Sequence, residues 1–215
     1  MPVILLAVSY TASVVLTGAF VAGLLGLLWR RERARGRLAR LARGLQLNYT
    51  PVDAHGLHRR FRGLELFRQG HNRYLFDIIS GSTRLGTVHC FRYRYERGFG
   101  VERCTYRWVV VVLQLARPVG DCCVRHPELP DGQPGRRLDR SDGADFALAP
   151  EQVAAAAAPS GELKTWYESL AFPTALECRY HLISLQVVDD GSDAQYEGLL
   201  EAIQQGGGRV LSTEC

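Results

Sequence analysis

The first 43 residues constrain this chain more than any other stretch. Val3 to Trp29 is a run of 27 residues without Asp, Glu, Lys or Arg, and Arg30, Arg31, Arg33, Arg35, Arg37, Arg40 and Arg43 follow at once. As a helix the run measures roughly 40 Å at about 1.5 Å per residue. A bilayer core of about 30 Å needs roughly 20 residues. Residues 1–29 are therefore expected to form a transmembrane anchor, with Trp29 at the interfacial belt position that suits its amphipathic ring. A cleaved signal peptide carries positive charge ahead of its apolar core; here the charge comes after it. The positive-inside bias then places the arginines and all that follows them in the cytoplasm, and makes the protein single-pass in the plasma membrane.

Residues 30–50 read as a basic juxtamembrane helix and linker. Leu38, Leu41 and Leu45 recur at spacings of three and four and interleave with the arginines, so the segment suits a helix lying along headgroups. Trp29, Arg30, Arg31, Arg33, Arg35, Arg37, Arg40 and Arg43 are the expected membrane-surface contacts, with the lipid bilayer and its anionic headgroups as partners. The plain alternative is a topology determinant and nothing more. Gly18, Ala22 and Gly26 recur every four residues, a small-residue row suited to homodimerisation of membrane helices. Nucleic acid is not expected, because a membrane-proximal cluster already accounts for the arginines.

Residues 51–215 are expected to form one cytoplasmic domain, long enough to bury a real core. Apolar residues make up 47% of the chain, which excludes a mainly disordered protein. The net charge of +4 sums unlike parts: residues 30–44 carry a net +6, residues 45–117 a net +7 and residues 118–215 a net −9. The basic first half and acidic second half are suited to pairing within the fold or between copies. Six cysteines are present, with no C-x-x-C spacing. In a cytoplasmic domain they are expected to be reduced and mostly buried.

Alternation of period two marks the strands. Arg73–Ser80 is one, closed by a turn at Gly81–Ser82. Arg84–Tyr95 is another, with His89, Phe91, Tyr93 and Tyr95 on one face and Arg92 and Arg94 on a solvated one. Val101–Ala116 is the strongest; Cys104, Tyr106, Trp108, Val110 and Val112 share a face, and its apolar second half makes it central. Asp121–His126 and Glu177–Val188 are further strands. The connections are too short for helical crossovers, so the sheet is antiparallel. Residues 127–143 read as an exposed loop rich in Pro, Gly and charge. Pro150–Ala158 and Glu162–Leu170 read as short helices. A capping box at Ser192 and Gln195 opens a last helix, which Gly206–Gly208 ends before a short strand at Arg209–Ser212. The fold class is α+β: an N-terminal transmembrane helix, then a mainly antiparallel sheet of five or six strands with two or three packed helices.

The constellations that carry chemistry do not assemble. Asp189–Asp193 lacks the alternation and central Gly of a calcium loop. Gly206–Gly208 lacks the Lys and Ser/Thr of a phosphate loop. His55 and His58 have no further ligand at a matching spacing, so no metal is expected. His89 and Cys90 point to opposite faces of a strand, and a dyad of His89 with Cys104 depends on register. Arg92–Tyr95 and Arg103–Arg107 have the composition of a single-strand nucleic-acid surface, but alternation between a buried and a solvated face explains them equally. No catalytic or cofactor-binding residue is assigned.

One resemblance does emerge. A membrane helix and basic segment precede Phe61-x5-Phe67-Arg68-Gln69-Gly70-His71-Asn72-Arg73, then Gly81, the aromatic strand Phe91–Tyr95, the valine run Val109–Val112 and an acidic stretch around Asp139–Phe146. Over roughly residues 60–190 this resembles a family of uncharacterised bacterial membrane-anchored proteins, a domain of unknown function. The resemblance implies a bacterial inner-membrane location and an α+β domain, and it transfers no site residues. The expected function is a non-enzymatic binding or scaffolding module for a protein or lipid headgroup at the membrane surface. The competing class is a membrane-bound, hydrolase-like enzyme, which would need a deep pocket with convergent polar groups.

Overall fold

The computed structural model describes residues 2–54, 56–118, 122–125, 129, 166–170 and 172–212, with side chains from Val15 to the start of the last glycine run apart from those of Cys122, Val124 and Arg125. The loop expected at 127–143, Leu129 excepted, and the helix expected at Pro150–Ala158 lie outside these residues.

Among the described residues seven strands form one antiparallel sheet. They are β1 (Asn48–Val52), β2 (His71–Ser82), β3 (Gly86–Arg97), β4 (Cys104–Leu115), β5 (Cys122–Arg125), β6 (Ala175–Arg179) and β7 (Leu182–Val188), in the spatial order β1-β2-β3-β4-β7-β6-β5. The first four strands are a meander. The chain then passes to the far edge and returns inward, so the second hairpin closes onto β4 and makes it central, as its two-sided apolar sequence requires.

Alternation divides the core into two layers. Cys90 of β3, Val109, Val111 and Leu113 of β4, and Ile183 and Leu185 of β7 lie on one face, against the helices. Phe91, Tyr93 and Tyr95 of β3 with Trp108, Val110 and Val112 of β4 lie on the other, under Phe61, Leu64 and Phe67. The segment that supplies these last residues contains the short helix α2 (Leu57–Arg60) and a 3-10 turn, Glu65–Arg68. Phe61 and Phe91 stack with rings 5.9 Å apart, and Phe67 meets Tyr93 at 4.8 Å.

The helical layer includes α1 (Pro2–Gly44), α3 (Ala194–Ser212) and the helical residues 166–168, whose Trp166 is buried in it. Helix α1 is unbroken, and α3 contributes Tyr196, Leu199, Leu200 and Ile203 to the same core. Among the described residues no helix is long and apolar enough to cross a membrane. The apolar part of α1 with described side chains, Val15–Trp29, has 15 residues, against roughly 20 for a span.

Several expectations are corrected. Glu177–Val188 is not one strand: it divides at Tyr180 and His181, and β6 and β7 pair as a hairpin. Tyr180 takes the left-handed conformation at φ 51° without the Gly or Asn that usually announces such a turn. β2 continues through Gly81–Ser82, and the turn lies at Thr83–Leu85. There Gly86, at φ 154°, brings its backbone so close to the Gln114 carbonyl that a Cβ would collide with it. Gly206–Gly208 does not end the last helix, which runs on to Ser212 where a strand was expected. Glycine costs about 1 kcal/mol per helical position but does not forbid one. The capping box does not form: Gln195 accepts from the Asp190 amide and donates to the Val188 carbonyl, while Ser192 closes an Asp190 turn. Residues 48–52, read as linker, are an edge strand.

Candidate membrane-facing site

Helix α1 joins two kinds of surface along one axis. Between Val15 and Trp29 its large apolar side chains are uncovered, Phe20 at 68% exposure and Trp29 at 63%. Within Leu38–Ala42 it is core: Leu38 is 1% exposed and Ala42 is fully buried against the sheet. Leu41 packs beside them, while Leu45 stays at the surface. The collar therefore does not lie freely along a surface over its whole length. Its C-terminal half is held by the domain, because Leu38 and Leu41, read as part of a headgroup-facing stripe, pack against the core instead.

The arginines separate accordingly. Arg30, Arg33, Arg37 and Arg40 recur at spacings of three, four and three, and with Trp29 they line an open concavity of about 710 Å³ along one side of α1. The Arg33 guanidinium sits 4.8 Å from the centre of the Trp29 ring, a cation–π contact. Arg35 pairs with Glu32 at 2.8 Å, Arg43 donates to the Ala39 carbonyl, and Arg31 is exposed. Arg30, Arg31 and Arg40 have no carboxylate partner among the described residues. Five of the eight expected contacts thus share one side, and Arg31, Arg35 and Arg43 fall away from it.

Arg37 reaches inward. Its Nε donates to Asp193 Oδ2 at 2.6 Å, at the start of α3. The other oxygen of Asp193 faces Arg92 at 3.7 Å. Arg92 was expected on a solvated face and is instead 9% exposed. The physical reason is that α1 and α3 cover that face, so both faces of β3 are interior. Asp77 lies 3.2 Å from Arg92 Nη1, Asp189 lies 3.4 Å from Nε within ion-pair reach but outside hydrogen-bond geometry, and the Tyr196 ring lies 5.3 Å from the guanidinium carbon. Burial opposes the charge on Arg92; Tyr196, Asp189 and Asp77 outweigh it and hold the group further toward its protonated form. Asp77 sits at a bulge in β2 at φ 53°. Its carboxylate accepts from the Tyr49 hydroxyl at 2.7 Å and its carbonyl from Tyr196 at 2.9 Å. Burial, reinforced by Asp77, pushes the Tyr49 hydroxyl up. These contacts bind α1, β1, β2, β3 and α3 together.

The other titratable groups are structural in their surroundings. His89 is 7% exposed, edges onto Phe61 at 5.4 Å and leaves both ring nitrogens without hydrogen bonds. Burial, aided by Arg60, lowers its pKa to about 4, so it is neutral at pH 7. Cys90 points to the opposite layer, where burial pushes its thiol up. His89 pairs in register with Val112 and Arg97 with Cys104, which separates His89 from Cys104 by about 26 Å at ~3.3 Å per residue and rules out that dyad. Cys90 and Cys104 are free thiols. His58 faces Asp53 at 3.3 Å, and its expected companion His55 lies outside the described residues. Among the described residues no group of three or more His, Cys, Asp or Glu is placed to hold a metal. Glu177, raised by burial, accepts the Glu65 amide with both oxygens and so fixes the start of the 3-10 turn. Gly18, Ala22 and Gly26 are exposed, and a Cβ at either glycine meets nothing within 4 Å.

The fold is similar to that of the mycobacterial trehalose monomycolate transport factor A, TtfA, with a TM-score of 0.55 and 15% sequence identity over 82% of this chain and 94% of that one. At that identity the likeness is one of fold. No protein-family model matches the chain, and no curated protein matches it.

Proposed function

We propose that this chain is a single-pass inner-membrane protein whose cytoplasmic domain is a non-enzymatic binding module, serving as an accessory to lipid transport at the membrane surface. α1 is its anchor. Trp29, Arg30, Arg33, Arg37 and Arg40 meet anionic headgroups, and the domain presents itself to a protein or lipid partner from that fixed place. The observation that carries the reading is the continuity of α1: an uncovered apolar helix, an arginine side and a buried core segment follow one another without a break. A helix so apolar in its first part and so buried in its last is suited to holding a domain at a set distance from a bilayer. The accessory role draws on the name of the structural neighbour, a transport factor for a lipid.

The experiment is alkaline carbonate extraction of membranes carrying the full chain, joined to quenching of Trp29 by brominated phosphatidylglycerol and brominated phosphatidylcholine in vesicles. The chain should stay in the membrane, and phosphatidylglycerol should quench more strongly. Replacing Arg30, Arg33 and Arg40 by Gln should remove that preference, at about 1 kcal/mol for each arginine near an anionic surface. Release into the carbonate supernatant contradicts the anchor; equal quenching by both lipids contradicts the headgroup site.

A further inference from the structure

We infer that the β3–β4 hairpin tip is a second membrane contact, with Phe99 and Val101 seated among the headgroups and first acyl carbons. The inference rests on the reading of α1 as an anchor. Phe99 is 80% exposed and Val101 wholly exposed, the two most exposed large apolar side chains outside α1 among the described residues. They stand on an ordered tip, not a loose loop. Gly98 and Gly100 take left-handed φ values of 74° and 59°, and the Glu102 and Arg103 amides donate to the Phe99 and Gly100 carbonyls. The His71 ring stacks on Phe99 with centroids 4.6 Å apart, and Arg97 lies over both Tyr95 and Tyr106. Just behind the tip, Glu96 is held by Asn72 at 2.8 Å and Arg94 at 2.7 Å. Residues 97–103 carry Arg97 and Arg103 against Glu102, a net +1 that complements an anionic surface. Aromatic, basic and aliphatic side chains on one rigid projection are what an interfacial contact requires.

The reach of the hairpin decides the occupant. Leu47, just past the end of α1, lies against Gly81, which pairs with Val88 at the start of β3. Arg37, ten residues earlier, lies at the Arg92 cluster. Followed backward, α1 therefore climbs in the direction in which β3 runs. From Arg37 to Trp29 it rises about 12 Å. From Arg92 to its end at Arg97 the strand extends about 17 Å, and still about 12 Å along the helix axis if the two cross at about 45°. The tip thus reaches the level of Trp29 or passes it, and that level is where the anchor places the interface.

The test replaces Phe99, and separately Val101, by photoreactive p-benzoylphenylalanine in the full chain, reconstituted in phosphatidylcholine–phosphatidylglycerol vesicles. Tyr180, 72% exposed at the turn of the opposite end of the sheet, is the control position. Lipid adducts should form several-fold more at 99 and 101 than at 180. Equally weak adducts at all three positions, in a chain that resists carbonate extraction, overturn the second contact and leave the anchor standing. Adducts to protein instead of lipid at 99 also overturn it. Release by carbonate overturns the anchor and this inference together.

Discussion

Arg92 shows how a residue's role depends on what covers it. Alternation assigned its face correctly, yet the face is interior, because α1 and α3 lie over it. Its carboxylate partners come from β2 and from the turn before α3, up to 101 residues away, and nothing in local spacing announces such a meeting. Replacing Arg92 by Met should destabilise the fold by about 3–5 kcal/mol, because Asp77, Asp189 and Asp193 would face one another without it. Replacing Arg37 by Gln should cost under about 1 kcal/mol, since that side chain is half exposed. Urea denaturation of the detergent-solubilised chain separates the two. His89 sets a pH dependence of definite sign. Its pKa falls from 6.5 unfolded to about 4 folded. Between those values the unfolded chain holds a proton that the folded chain does not. Stability is therefore complete above pH 6.5 and falls toward pH 4, by at most roughly 3 kcal/mol at ~1.4 kcal/mol per pH unit. His89→Leu should flatten that part of the profile relative to the parent, read as the urea midpoint at pH 7 and pH 4.5.

At the scale of elements, the long strands were legible because each carries its own period-two pattern over 12 residues. The division between β6 and β7 was not, since a left-handed Tyr carries no turn signature. Nor was β1, whose short sequence Asn-Tyr-Thr-Pro-Val reads equally as linker; it becomes a strand because β2 offers it an edge. The collar was half legible. Its helical leucine spacing was plain, but spacing alone does not distinguish a headgroup surface from a sheet. Leu38 decides it, being 1% exposed. Leu38→Ala should cost about 2–5 kcal/mol, the usual range for a truncated core leucine. Thermal unfolding followed by the near-ultraviolet signal of Trp108 and Trp166 measures it. A cost close to zero would place the collar outside the core.

For the whole molecule, one helix carries two kinds of surface. Its stretch from Val15 to Leu28 is apolar and uncovered, its middle carries Trp29 and the arginine side, and its last part belongs to the core of an α+β domain. The apolar run ahead of the arginines was the clearest feature of the sequence. Its rigid union with the domain was not, because that union depends on Leu38, Ala42 and the Arg37–Asp193 pair meeting distant strands and α3. Helix α1 and the sheet are then one mechanical unit. Hydrogen exchange of the full chain in phosphatidylglycerol-containing nanodiscs tests this union most directly. The account predicts slow amide exchange through α1 from Val15 to Gly44, unbroken across Arg30–Arg37. Rapid exchange in that middle segment, with both ends protected, would mean a hinge between anchor and domain and would contradict it.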